Sequence, residues 1–270
     1  MADTVTPRAA STVLLLRDSA AVAADNEIEV FMMVRHYRID FSSGALVFPG
    51  GSVDAGDKEI IARSELYSGG EGLDEAELSF RIAAIRETFE ESGILVARSR
   101  GSKTLIDAKR AAEIEAGHRT ALCEGRTSFR NVVAESGVSL ALDELMPYAH
   151  WITPEGMSKR FDTWFFLAAA PPAQRGTHDG RESTDSIWVS PREALAGGKS
   201  GRFKLPFPTT RNLIRLGKQP NVRAALEDVR GKPIVAVTPV MTRLSNGGRR
   251  LRIPAEAGYD GEVFEVSDAG

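Results

Sequence analysis

Apolar and polar positions along the chain fall into short blocks that divide between strand and helix. Residues 11–16 form a β-branched, apolar run, and 27–35 alternate in part through Ile28, Val30, Met32 and Val34, predicting two early strands joined by a polar loop. Residues 43–51 read as a short apolar strand that Pro49, Gly50 and Gly51 break off. A short helix is expected at 59–66, and a long one over 75–92, where apolar residues recur at helical spacing until Gly93 stops them. Residues 103–134, rich in Ala, Glu and Arg, predict with 140–145 a small helical subdomain. Strands are then expected at 148–153, 161–169 and 186–189. A short helix follows over 191–196 with proline near its start, then helices at 206–216 and 221–229, and strands at 234–241 and 251–253. Strands mixed with helices, joined by loops of varied length and showing no internal repeat, predict an α/β (α+β) fold with a mixed sheet and not a regular βαβ array.

Composition narrows the function more than the fold. At 270 residues, 42% hydrophobic and 26% charged, the chain can bury a sizeable core as one elaborated domain, 1–270. A net charge of −3 gives no reason for a nucleic-acid partner, so phosphate recognition has to come from a local site. The single cysteine, Cys123, excludes an internal disulfide and a cysteine-based zinc site; it agrees with a cytoplasmic setting and is read as structural. Residues 12–16 are too short for a membrane span, and no membrane partner is expected.

The chemistry concentrates in the segment Phe80-Arg-Ile-Ala-Ala-Ile-Arg-Glu-Thr-Phe-Glu-Glu-Ser-Gly-Ile94. Glu87, Glu90 and Glu91 occupy positions i, i+3 and i+4, which places three carboxylates on one helix side. Ile82, Ile85 and Phe89 fall roughly opposite, so the apolar face is expected to pack on a sheet and the acidic face to look outward. Like charges at this spacing repel, and in the C-terminal half of a helix the macrodipole also opposes them. A hard divalent cation, Mg²⁺ or Mn²⁺, would compensate. Alone, the cluster could equally be a solvated acidic face. Upstream stands Phe48-Pro49-Gly50-Gly51, whose glycines would let the backbone turn and approach a phosphate closely.

The Gly-Gly loop, the acidic helix and the terminal Gly93-Ile94 together resemble the Nudix box, G-x5-E-x7-R-E-U-x-E-E-x-G-U with U aliphatic. Two departures stand out. Thr88 takes a usually aliphatic position, and Asp57 stands where the family has glutamate; an inserted segment at 58–79 also parts the loop from the helix. An interrupted box of this kind is similar to that of Nudix enzymes related to the peroxisomal coenzyme A diphosphatase, as are Trp151-Ile-Thr-Pro154, Arg160-Phe-Asp-Thr-Trp-Phe-Phe166 and Trp188-Val-Ser-Pro191.

The resemblance implies a Nudix fold, a mixed sheet sandwiched between helices, with insertions at about 58–79 and 103–147 and a C-terminal extension over about 201–270. It implies a metal-dependent diphosphatase that cleaves coenzyme A or acyl-CoA to 3′,5′-ADP and (acyl-)4′-phosphopantetheine, with Glu87, Glu90 and Glu91 holding Mg²⁺ or Mn²⁺ and Arg86 orienting them; Glu91 is also expected to serve catalysis directly. Glu182, at the matching place before Trp188, is expected to be the base for the attacking water, with Asp185 and His178 as competitors. Gly50, Gly51, Arg35, His36, Arg38 and Arg160 are the substrate-binding candidates, and Trp151, Trp164 and Phe166 are either core or a platform for a base. Another nucleotide substrate (NADH, FAD or ADP-ribose) and a non-catalytic nucleotide sensor are the alternatives. A homodimer is the only protein partner the resemblance suggests.

Overall fold

The computed structural model describes residues 5–19, 27–35, 44–178 and 183–266. In chain order the strands and helices are β1 (Arg8–Asp18), β2 (Ile28–Arg35), β3 (Leu46–Val47), β4 (Gly50–Ser52), α1 (Ala55–Ile61), β5 (Tyr67–Ser68), α2 (Glu75–Ser92) and β6 (Ala97–Ser99). Next come α3 (Ala108–Ile114), a π-helical turn (Glu115–Arg119), α4 (Thr120–Cys123), α5 (Phe129–Glu135), β7 (Val138–Ala141), β8 (Met146–Ile152), β9 (Phe161–Ala169) and β10 (Ser183–Val189). The chain continues with α6 (Pro191–Lys199), α7 (Phe207–Leu216), α8 (Val222–Val229), β11 (Ala236–Val237), β12 (Val240–Arg243), β13 (Arg249–Arg252) and β14 (Val263–Val266).

The main sheet runs β10-β2-β1-β9-β8-β11, with β3 added to β2 and β4 to β1. Its centre is a parallel pair, β1 with β9, in register from Arg8↔Phe161 to Leu16↔Ala169. The other edge of β1 is shared: its C-terminal part takes β2 at Leu16↔Val30, and its N-terminal part takes β4 at Ser11↔Gly51. Strand residues alternate between two cores, as a period of two demands. Val13, Leu15, Phe31, Met33 and Phe166 face Ile82, Ile85 and Phe89 of α2, whereas Leu14, Leu16, Val30, Met32 and Leu167 face Ala194, Leu213, Leu216, Ala225 and Val229 of α6, α7 and α8. The fold is therefore a mixed α/β sandwich. Among the described residues no helix is long and apolar enough to cross a membrane.

Several expectations shift in position or kind. The expected apolar strand does stop before Pro49, as β3, but Gly50 and Gly51 then open a new strand, β4, along the edge of β1 that β2 leaves open. The helix expected at 59–66 starts at Ala55, where Asp54 and Asp57 form a capping box, and only a 3-10 turn remains at Ser64–Leu66. Residues 140–145 are not α-helical: Val138–Ala141 pair between β5 and β6 in a small second sheet, and only a 3-10 turn forms at Leu142–Glu144. That sheet ties the two inserted segments to each other. The predicted 234–241 strand is split at Thr238 and Pro239, since proline cannot donate to a ladder, into β11 on the main sheet and β12 of a third sheet, β12-β13-β14.

The C-terminal part is locked to the main sheet by a buried polar chain. Trp151 Nε1 donates to Tyr259 Oη at 2.9 Å, Tyr259 Oη donates to Asn212 Oδ1 at 2.6 Å, and Tyr148 Oη donates to the Asn212 carbonyl at 3.0 Å. Tyr259→Phe is expected to destabilise the protein by about 1–3 kcal/mol, because it strands the Trp151 donor and the Asn212 acceptor in the interior; urea denaturation with an unchanged m-value would measure it.

Candidate functional site

The site is built on α2, which starts in a capping box between Asp74 and Glu77 and ends at Gly93 in a left-handed conformation, φ 75°. A Cβ at Gly93 would collide with the Glu115 carboxylate. The apolar side of the helix packs on the sheet as expected, and the acidic side, expected to look outward, is covered in part by other elements. The helix is buried on most sides, and even Glu91 is only 7% exposed. Two packed layers explain this: the main sheet covers one side and the inserted helices another. Thr88, at the position the family fills with an aliphatic residue, is fully buried and satisfies its hydroxyl on the Ala84 carbonyl at 2.7 Å.

Arg86 organises the acids. Its Nε and Nη2 donate to the two Asp57 oxygens at 2.8 and 3.0 Å, Nη2 also to the Ser52 carbonyl at 2.8 Å, and Nη1 to Glu87 at 2.8 Å and Glu90 at 3.4 Å. Burial works against this charge, but Asp57, Glu87 and Glu90 outweigh it and hold the guanidinium more firmly protonated than usual. Asp57 is fully buried, and its second oxygen also accepts the Asp54 N–H at 2.9 Å. The shorter acid at this position is thus spent on fixing α1 and Arg86 together.

The two glycines have partners within the protein. At Gly50 a side chain would strike the β1 backbone at Ser11 and Thr12, and its N–H donates to Glu91 Oε2 at 2.8 Å. At Gly51 a Cβ would lie 2.5 Å from the Glu87 carboxyl carbon. Both positions hold glycine so that β4 can press against β1 while leaving room for the acids. At Glu90 burial, helped by Glu87 and opposed by Arg86, pushes the pKa up to about 7.

Hard oxygen donors on one helix side, one kept partly protonated by burial, suit Mg²⁺ or Mn²⁺ chemically. In the geometry seen here Glu87 and Glu90 turn toward Arg86 and Glu91 toward Gly50, and among the described residues no three acidic, histidine or cysteine side chains gather as a metal cluster. A cation would replace these internal contacts.

Sequence reasoning missed Arg119. Delivered by the π-helical turn of the second insert, it is 9% exposed and donates to the last carbonyls of α2, Glu90 at 3.0 Å and Glu91 at 2.7 Å, where the helix dipole favours a cation. It also donates to the Thr177 carbonyl at 2.9 Å, and Thr177 N–H donates to the Ser92 carbonyl at 2.9 Å. The loop that leads to the expected base is thereby clamped to the C-terminal end of the acidic helix. Cys123 contacts the Glu90 carbonyl through Sγ at 3.6 Å, in keeping with a structural role.

The other candidates scatter. Glu182, His36 and Arg38 lie outside the described residues. His178 N–H donates to Ser186 Oγ at 3.2 Å, and Asp185 accepts from the Ser186 N–H, so the two competitors for the base sit together at the start of β10. Arg160 is engaged with backbone carbonyls, Nε on Thr153 at 3.0 Å and Nη1 on Val5 at 2.9 Å, which makes it a clasp for the β8–β9 connection and leaves its fork little to offer a substrate. Trp164 and Phe166 pack on the α2 side of the sheet, with His150 stacked on Trp164 at 4.5 Å, whereas Trp151 belongs to the opposite core. Arg35 lines a cleft of about 630 Å³ between β8, β9, the start of α7 and the C-terminal sheet.

Asp57→Ala should cost about 3–5 kcal/mol, since it leaves the Arg86 charge buried with one flank unpaired; thermal or chemical denaturation measures it, and an effect below about 1 kcal/mol would show that the pair does not anchor α2. The Glu90 shift gives a second expectation. Its carboxyl holds a proton up to about pH 7 when folded but only to its ordinary 4.5 when unfolded, so the metal-free protein binds more protons folded than unfolded between these values. Its stability contribution is present below 4.5 and is lost as pH rises through 7. Divalent cations need the ionised form, so Mn²⁺ affinity, followed by calorimetry in buffers of different ionisation heat, should rise from pH 6 to 8 with proton release that Glu90→Gln abolishes.

Comparison with known proteins agrees with this architecture. Residues 64–216, more than half of the chain, match the model of the NUDT19 Nudix domain. The acyl-coenzyme A diphosphatase NUDT19 of Xenopus laevis is 28% identical over 228 residues, which cover 71% of this chain and 60% of that protein. For its Gallus gallus counterpart the identity is 28% over 262 residues, covering 77% and 68%. The chain thus spans about 60% of the length of the first of these relatives. A crystal structure of a Nudix hydrolase from Alicyclobacillus acidocaldarius superposes with a TM-score of 0.65 at 26% identity, covering 85% of this chain and 99% of that one. With the interrupted box assembled around Arg86 and the match running through the acidic helix, the chain belongs to the Nudix hydrolases, in the family of the NUDT19 Nudix domain.

Proposed function

We propose that this Nudix hydrolase is a divalent-metal-dependent diphosphatase that cleaves coenzyme A or acyl-CoA to 3′,5′-ADP and (acyl-)4′-phosphopantetheine. The observation that carries the substrate is the match of residues 64–216 to the NUDT19 Nudix domain, supported by relatives named for acyl-coenzyme A. Glu87, Glu90 and Glu91 are the residues that would hold Mg²⁺ or Mn²⁺. The cation would neutralise diphosphate charge and lower the pKa of a water. The chain's own part is positional. Arg86 fixes the acids through Asp57, the two glycines let β4 approach them, and Arg119 holds the loop toward β10 against the end of α2. Within that loop Glu182 is the proposed base, taking the proton of the attacking water, with Asp185 and His178 as the substitutes if it is not.

A mass-resolved product assay on coenzyme A, acyl-CoA, NADH, FAD and ADP-ribose, with Mg²⁺ and with a chelator, tests this reading. Coenzyme A or its acyl ester is expected to have the highest kcat/KM, and all turnover to vanish with the chelator. Turnover confined to another diphosphate would replace the substrate, and nucleotide binding without products under any metal would replace the enzyme by a sensor. Glu90→Gln and Glu91→Gln should leave the protein folded and lower kcat by orders of magnitude. Glu182→Gln should lower kcat by about 10²–10⁴-fold with little change in KM; retention of kcat within a few fold removes Glu182 from the chemistry.

A further inference from the structure

The cleft of about 630 Å³ that Arg35 lines has mostly apolar walls, among them Trp151, Phe165, Phe207 and Phe264, yet three guanidinium groups border it, those of Arg35, Arg211 and Arg249. Arg211, in the first half of α7, lies against two rings, 4.4 Å from the centroid of Phe264 and 5.5 Å from that of Phe207. Its buried Nε has no hydrogen-bond partner, and neither has the buried Nε of Arg35. Among the described residues Arg211 forms no ion pair, and burial lowers its pKa despite the pull of Asp260. Ring contacts hold such a cation in place but do not satisfy its N–H donors, the buried Nε among them. Arg211 is half-buried, and a partly desolvated cation without an acid costs free energy that an anionic ligand returns in part. Glu265, an acid on the same cleft, is already paired with Arg250 at 2.7 Å. The excess charge of the cleft is positive and its walls suit a flat ring. The cleft lies on the sheet face opposite α2, and Val47 of β3, which borders it, stands three residues, at most about 11 Å of chain, before Gly50, whose N–H donates to Glu91 of α2.

We propose that Arg211 is a specificity-determining residue that binds a phosphate ester on the ribose of a nucleotide whose base lies in this cleft, outside the diphosphate that is cleaved. The assignment deepens the coenzyme A reading above and rests on it: the 3′-phosphate is the group that sets coenzyme A apart from dinucleotides and nucleotide sugars. Discrimination between these substrates then belongs to the C-terminal part of the chain, while the box supplies the chemistry common to all of them.

Calorimetric titration of the metal-free full chain with adenosine 3′,5′-bisphosphate and with adenosine 5′-monophosphate tests this without turnover. The bisphosphate should bind about ten- to a hundredfold more tightly. Arg211→Gln should bring the two within about threefold while the affinity for the monophosphate holds, and Arg211→Lys, which keeps the charge and loses the fork, should give an intermediate preference. If Arg211→Gln does not fold by circular dichroism, the lysine variant decides. A wild-type protein that binds both nucleotides equally, or a preference that Arg211→Lys and Arg211→Gln leave unchanged, overturns the assignment. Hydrolysis of coenzyme A by a protein whose preference does not depend on Arg211 sinks this inference alone, whereas an Arg211-dependent preference in a protein that hydrolyses no diphosphate sinks the coenzyme A reading alone.

Discussion

The buried contact between Arg86 and Asp57 is the constraint on which the acidic site depends. It joins α1 to α2 across the first insert, and the same guanidinium reaches the Ser52 carbonyl beside β4 and two of the three glutamates. Three carboxylates on one largely buried helix side repel one another, and their partial burial sharpens that repulsion. One cation held by a fully buried acid offsets part of it and leaves Glu90 undercompensated, with a pKa near neutrality.

Around this contact the inserted segments act as struts. They meet in the β5-β7-β6 sheet, and Arg98 braces it by a bidentate contact to Asp143 and a second to Glu144. From there the second insert brings Arg119 to the open carbonyls of α2. The insert that interrupts the box pattern and the one that follows it both cover the acidic helix.

Local chemistry was legible in the sequence where it is dictated by neighbours in the chain. The limits of α2 follow from Asp74, Glu77 and Gly93, and β9 follows from its unbroken run, so both match the expected 75–92 and 161–169. The carboxylate triplet followed from helical spacing alone. What stayed hidden depends on partners far along the chain. Gly50 and Gly51 read as a breaker because nothing nearby shows that β1 has an unpaired edge waiting for them. Residues 138–141 become strand only because β5 and β6 flank them. Arg119 carried no signal, since an arginine in an alanine-rich helical insert looks like any solvated charge, and the burial of Glu91 cannot be read from a pattern that looks amphipathic.

The parallel pairing of β1 with β9 at the centre of the sheet has a consequence for how the protein comes into being. These strands are separated by roughly one hundred and fifty residues, and parallel pairing over such a distance is slow to form because the intervening loop must close first. On the ribosome, α2 is complete long before β9 emerges, so its apolar side and its acid cluster must wait for most of a domain to be synthesised. Until β9 is synthesised, the apolar side of α2 lacks the central strand pair that covers it in the folded protein.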